Sequence, residues 1–104
     1  MSVLEMIKTR RSIRKFKSDP ISEEFLGKII EAGVYSATGR NAQSPIIIAV
    51  TDKKMRDKLS EMNRKIGGWE EGFDPFYGAP AILVVLADKS RPTAVYDGSL
   101  VMGN

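Results

Sequence analysis

Ala81-Ile82-Leu83-Val84-Val85-Leu86-Ala87 is apolar at every position, and Ile46-Ile47-Ile48-Ala49-Val50 is a second, shorter run of the same kind. Apolar runs of this length, rich in β-branched residues, read as strands. A strand that is apolar on consecutive positions presents an apolar surface on both sides, so each needs cover on both faces. The fold class expected is α+β (mixed α/β), a central sheet flanked by helices. Two strands alone do not make a sheet that is stable in water. The sequence also closes on Ser99-Leu100-Val101-Met102-Gly103-Asn104, inside an apolar periodic segment. Together these features predict that residues 1–104 belong to one domain, incomplete at its C-terminus or dependent on a partner to finish its core.

Helical signals surround both runs. Ser2 and Glu5 have capping-box spacing ahead of Val3, Leu4 and Ile7. Asp19-Pro20 breaks the chain, and Ser22 then caps a second helix with Glu23 and Glu24 in its first turn, where carboxylates suit the positive end of the dipole. Phe25, Leu26, Ile29 and Ile30 form its buried stripe, and Ile21 has the spacing to staple onto Leu26. The helix ends near Gly33. Asp52 opens a third helix, with Met55, Leu59, Met62 and Ile66 at helical spacing as its core stripe and Gly67-Gly68 as its stop. Residues 69–80 read as an aromatic-rich surface loop, and a fourth helix starts at Thr93.

Composition bounds the chemistry. One small domain fits 104 residues, and 42% apolar with 28% charged residues is a globular mixture. No apolar stretch is long enough for a membrane span, and the opening residues do not read as a signal peptide. With no cysteine and no histidine, disulfides, a thiolate nucleophile, zinc ribbons and every Ser-His or Cys-His pair are excluded. Any chemistry then falls to a bound cofactor, in a reducing cytoplasm by default. The net charge of +3 is local: Lys8, Arg10, Arg11, Arg14, Lys15 and Lys17 crowd into ten residues, and the remainder is net acidic.

Three segments stand out. In Arg10-Arg11-Ser12-Ile13-Arg14-Lys15-Phe16, guanidinium forks and a hydroxyl match the oxygens of a phosphate; a solvated basic turn and a nucleic-acid contact are the alternatives. In Ser36 to Pro45, Thr38, Asn41 and Gln43 supply donors and acceptors on a backbone that Gly39 makes pliable, which suits the edge of a heterocycle or an ordinary surface loop. Phosphate-loop and dinucleotide glycine patterns are absent. Phe76-Tyr77-Gly78-Ala79-Pro80 feeds the second strand, and Glu23-Glu24 and Glu70-Glu71 read as solvated faces.

Taken in order, these segments resemble the nitroreductase family of flavin (FMN) enzymes. The resemblance runs from Arg10–Phe16 through Ala32-Gly33, Thr38-Gly39-Arg40-Asn41-Ala42-Gln43-Ser44 and Phe76–Ala81 to Asp97-Gly98-Ser99-Leu100-Val101-Met102-Gly103-Asn104. It covers nearly all of this chain but only the N-terminal portion of the usual family domain. It implies a homodimer with FMN at the subunit interface and electron transfer from NAD(P)H to a nitroaromatic, quinone or similar small-molecule acceptor, by a ping-pong scheme with no catalytic protein side chain and no metal. Arg10 and Ser12 would hold the phosphate and ribityl end, with Arg11 a further cofactor-binding residue beside them, and Arg14 would lie nearer the ribityl and the pyrimidine edge. Thr38, Gly39, Asn41 and Gln43 would approach the flavin of the other subunit, and Asn63 matches a family asparagine at the pyrimidine ring. Ala37 departs from a common family proline, and an aromatic pair is missing around Pro45 to Ile47. Family members continue through a central helix, further strands and a late basic residue, so weak FMN binding, or none, is expected from these residues alone. A non-catalytic dimerising module and a small nucleic-acid binder are the readings from other classes.

Overall fold

Ser2 Oγ accepts the amide of Glu5 at 3.2 Å while Glu5 Oε2 accepts the amide of Ser2 at 2.8 Å, the reciprocal pair that starts α1 (Val3–Thr9). In the computed structural model, which describes residues 1–104, the remaining elements follow as α2 (Glu23–Val34), a 3₁₀ turn (Gly39–Asn41), β1 (Ile46–Val50), α3 (Lys53–Gly67), β2 (Ile82–Leu86) and α4 (Ala94–Gly103). Ser22 Oγ caps α2 by accepting the amide of Phe25 at 3.2 Å, and Asp52 Oδ2 caps α3 by accepting that of Met55 at 3.0 Å. Gly68 closes α3 in the left-handed conformation, at φ 75°.

The two strands pair antiparallel, from Ile46 opposite Leu86 to Val50 opposite Ile82. Alternation along each strand puts Ile47, Ala49, Leu83 and Val85 on one face. That face meets α2 and α4: a Cβ built on Gly33 would stand 2.9 Å from Ile47 Cδ1 and 3.4 Å from Val101 Cγ1. Gly33 therefore lets α2 approach the sheet at a separation no other residue permits without a shift. Asn104 Nδ2 donates to Ala32 O and ties the far end of α4 to α2. Beside this contact Ile29, Ala32, Leu83, Val85 and Met102 line an apolar cleft of about 410 Å³.

The sheet's other face, Ile46, Ile48, Val50, Ile82, Val84 and Leu86, is partly bare, with Ile46, Ile48 and Leu86 exposed. No residue of α1 is buried; Val3, Leu4, Met6 and Ile7 all face outward. Five residues in the whole chain are buried, and Val101 is the one large apolar side chain among them. A compact monomer of this mass exposes ~5,800 Å² with a radius of gyration of ~13 Å. This chain exposes 8571 Å² and has a radius of gyration of 15.3 Å. The expected need for cover on both strand faces is thus visible as uncovered apolar surface. No helix is long and apolar enough to cross a membrane.

On α3 the buried positions differ from those expected. Met55, Met62 and Ile66 are exposed, while Arg56 and Ser60 are buried. The cause is Asp74 in the 69–80 loop. Its Oδ1 accepts Ser60 Oγ at 2.7 Å and the Phe76 amide at 3.0 Å, its Oδ2 accepts the Gly78 amide at 2.8 Å, and Arg56 Nη2 forms an ion pair with it. Arg56 Nε also donates to Ala79 O at 2.8 Å. A polar stripe with a complete set of partners can be buried where an apolar stripe meets nothing.

Candidate functional site

The basic segment is an arm without regular structure between α1 and α2. Thr9 ends the helix and Arg10 turns extended, at φ −55° and ψ 136°. Arg11 Nη1 folds back to donate to Lys8 O at 3.0 Å and Arg10 O at 2.9 Å. The Arg10 and Arg14 guanidiniums and the Ser12 hydroxyl are exposed and make no hydrogen bond or ion pair within the chain; the six ion pairs present all involve other residues. Ile13 and Phe16, on either side of Arg14-Lys15, border an open cleft with Phe76, Tyr77 and Pro80 but remain 64% and 44% exposed. The forked donors of the arm stand free beside them.

The second segment is a tight, strained loop. The 3₁₀ turn closes through Asn41 N to Thr38 O at 3.0 Å and Ala42 N to Gly39 O at 3.1 Å. Thr38 Oγ1 accepts the Gln43 amide at 3.0 Å, and Gln43 Nε2 donates to Asn41 Oδ1 at 3.1 Å. Arg40, Asn41 and Gln43 have φ of 53°, 54° and 52°; the chain's one other non-glycine residue in that region is Tyr77. Left-handed backbone outside glycine is costly, and asparagine tolerates it better than arginine or glutamine. Asn41 Nδ2 and Gln43 Oε1 make no hydrogen bond in the chain, and Ser44 Oγ is buried without a partner.

One carboxylate fastens this loop. Asp97, in the first turn of α4, is 1% exposed. Its Oδ1 accepts the Gly39 amide at 2.8 Å and its Oδ2 accepts Thr93 Oγ1 at 2.8 Å. A Cβ on Gly39 would fall 2.9 Å from Cβ and Cγ2 of Thr93. Gly39 is needed here for close approach to α4, not for pliability. Asp97 and Thr93 were not among the site residues expected from sequence. The available signal was a lone carboxylate inside the apolar segment from Ala94 to Met102, because a buried carboxylate must find partners.

Asn63 stands exposed on α3, its Nδ2 donating to Leu59 O at 3.0 Å within the helix. Thr38 and Gln43 border a cleft of about 290 Å³ with Ile30, Val34 and Pro45. No hydrogen bond joins the arm, the loop and Asn63 to one another. The structure therefore gathers Thr38, Gly39, Asn41 and Gln43 into one unit and keeps Arg10, Arg11, Ser12 and Arg14 as another.

The sequence model of the Nitroreductase family matches residues 7–100. The chain belongs to the nitroreductase family. Among solved relatives, a nitroreductase with bound FMN from Bacteroides fragilis NCTC 9343 superimposes with a TM-score of 0.90 at 25% identity, over 99% of this chain and 61% of that one. An FMN-dependent nitroreductase from Clostridium difficile R20291 gives 0.81 at 31% identity, over 96% of this chain and 51% of that one. A curated relative, an NADPH-dependent oxidoreductase of Staphylococcus aureus (strain USA300), is 34% identical over 71 residues, 68% of this chain and 28% of that protein. The chain thus has the nitroreductase fold over a little more than half the length of these solved relatives. The arm and the loop both carry side-chain donors that the chain itself leaves free.

Proposed function

We propose that this nitroreductase-family chain is part of an FMN-dependent NAD(P)H oxidoreductase. The observation that carries the reading is the Arg10–Ser12–Arg14 donor set, free of intramolecular partners on the arm between α1 and α2. Two guanidiniums and a hydroxyl within five residues match a phosphomonoester and a polyol in number and type. The loop fits the other end of the same ligand: Asn41 Nδ2 is a free donor, Gln43 Oε1 a free acceptor, and Ser44 Oγ a buried hydroxyl in want of a partner. A flavin edge, with alternating donors and acceptors, satisfies such a set.

When bound, FMN supplies the redox chemistry, accepting two electrons from NAD(P)H and passing them to a nitroaromatic, quinone or similar acceptor. The chain's residues bind and orient. Arg10 and Ser12 hold the phosphate end, with Arg11 braced against its own backbone beside them. Arg14 places a permanent positive charge near the ring, which stabilises negative charge there. Gly39 and Thr38 shape the loop that presents Asn41 and Gln43, and Asn63 is a further amide for the ring edge. Because arm and loop are not joined within one chain, we assign them to the two subunits of a homodimer. The surface excess of more than 2,000 Å² over a compact monomer, by the scaling used above, fits a large obligate interface rather than a transient one.

That same excess favours a second reading, a dimerising module that binds no flavin. The two readings separate in one experiment. The purified protein is titrated into FMN while flavin fluorescence is followed, and the visible spectrum of the mixture is recorded with and without NADPH. Saturable quenching, with flavin absorbance that bleaches on adding NADPH, is expected. A dimer that quenches no flavin at any concentration would favour the module.

A further inference from the structure

We propose that Asp97 is a positioning residue for the flavin-facing loop: its carboxylate, through the Gly39 amide, holds Asn41 and Gln43 in the left-handed backbone that aims their amides. The proposal rests on the FMN reading above and goes beyond it by naming a residue that touches no ligand. Asp97 is the most deeply buried side chain of the molecule, yet no cation pairs with it. Both of its oxygens are committed instead to one backbone N–H and one hydroxyl, at 2.8 Å each. With no cation to offset the burial of a carboxylate, these two hydrogen bonds carry the whole compensation, and their strength in a low-dielectric setting fixes the carboxylate in place.

What depends on it lies within four residues. Three of the chain's four left-handed non-glycine residues, Arg40, Asn41 and Gln43, directly follow the tethered Gly39. The hydrogen bonds inside the loop join its residues to each other; Gly39 N to Asp97 Oδ1 joins the loop to α4 across 58 positions of sequence. Thr93 fixes the second carboxylate oxygen and lies against Gly39, so the carboxylate cannot swing without moving the loop. Released from this tether, Arg40 and Gln43 relax toward ordinary backbone, and the amides turn away.

Three variants test it. Asp97→Ala removes the tether. Asp97→Asn keeps an acceptor for Gly39 N–H and a donor for Thr93 Oγ1 in the same shape. Thr93→Val removes one hydrogen bond and little volume, for the case in which Asp97→Ala does not fold. Amide hydrogen exchange is followed by segment, and FMN affinity by quenching of flavin fluorescence. Losing a charge-assisted hydrogen bond predicts exchange over residues 38–44 and an FMN dissociation constant each raised about tenfold or more in Asp97→Ala. Thr93→Val moves both less, Asp97→Asn restores both toward wild type, and protection in β1 and β2 stays unchanged. Equal FMN affinity in wild type and Asp97→Ala, or in wild type and Thr93→Val if the alanine variant does not fold, overturns the positioning role. So does faster exchange spread evenly through sheet and helices. A wild-type protein that quenches no FMN contradicts the flavin reading itself, and with it the object of the positioning.

Discussion

Arg56 of α3 and Asp74 of the 69–80 loop form an ion pair that closes the loop onto the helix, with Ser60 and the amides of Phe76 and Gly78 completing the carboxylate's partners. The Arg56 side chain is 10% exposed and that of Asp74 30%. In a molecule with one large buried apolar side chain, this polar node replaces part of the missing core.

Removing Asp74 takes this partner from the Arg56 guanidinium, which keeps Asp57 Oδ1 at 3.2 Å and Ala79 O at 2.8 Å, and strips Ser60 and the amides of Phe76 and Gly78 of their acceptor. Asp74→Ala is expected to lower stability by about 2–3 kcal/mol, under the range for fully buried pairs because Asp74 is partly exposed. Urea unfolding at neutral pH checks this. Loss of the Trp69–Phe73–Tyr77 ring contacts in near-ultraviolet circular dichroism should accompany it.

Acid should attack the same node. Burial pushes the Asp74 carboxyl pKa up, but hydrogen bonds from Arg56, Ser60 and the amides of Gly78 and Phe76 outweigh it and hold the carboxyl well below the usual aspartate range. The folded-state pKa is therefore lower than the unfolded one. Its stabilisation is fully present above the unfolded value of about 4 and declines as pH falls below it, because the unfolded state takes up the proton first. Unfolding free energy should drop between about pH 5 and pH 2, and Asp74→Asn should flatten that drop. An equally steep drop in the variant would place the acid sensitivity elsewhere.

Gly39→Ala puts a methyl group against Thr93 and should displace the loop from α4. An overpacked contact of this kind costs about 1–3 kcal/mol, here divided between stability and the geometry of Asn41 and Gln43. FMN affinity should fall by more than thermal stability does. Gly78→Ala, where the added Cβ meets nothing but φ is 77°, serves as a control for backbone strain away from the loop.

The exposed face of α1 gives a prediction about assembly. Ile7 is 68% exposed and Leu4 60%. If α1 lies in the subunit interface, Ile7→Glu weakens self-association by about tenfold or more without lowering helix content. Sedimentation velocity across a dilution series reads this, and an unchanged sedimentation coefficient would place the interface on another face.

Local signals were legible in the sequence. Ser2, Ser22 and Asp52 sit at the helix starts their side chains predict, and both strands lie within the apolar runs quoted above. The family motifs pointed to a fold that the structure has. What periodicity could not show were contacts between distant residues. The spacing of Met55, Leu59, Met62 and Ile66 marks one helical face, but Arg56 and Ser60 are buried because Asp74 reaches them from 18 and 14 positions away. Asp97 and Gly39 are 58 positions apart, and nothing local joins them. The left-handed backbone at Arg40 and Gln43 runs against the preference of both residues, so no propensity argument would have put it there. The resemblance implies that arm and loop serve the flavins of different subunits, and within a single chain no hydrogen bond joins them.

The central claim is that the free donors of the arm hold a flavin phosphate. Its most direct test is a fluorescence titration of FMN with the wild-type protein and with an Arg10→Ala, Ser12→Ala double variant. Both side chains are exposed and free of intramolecular partners, so the variant should fold as wild type does. The account predicts saturable quenching by wild type and a dissociation constant raised about 100-fold in the variant, with riboflavin, which has no phosphate, bound weakly and equally by both. No quenching by wild type, or equal affinity for FMN in the two proteins, would contradict it.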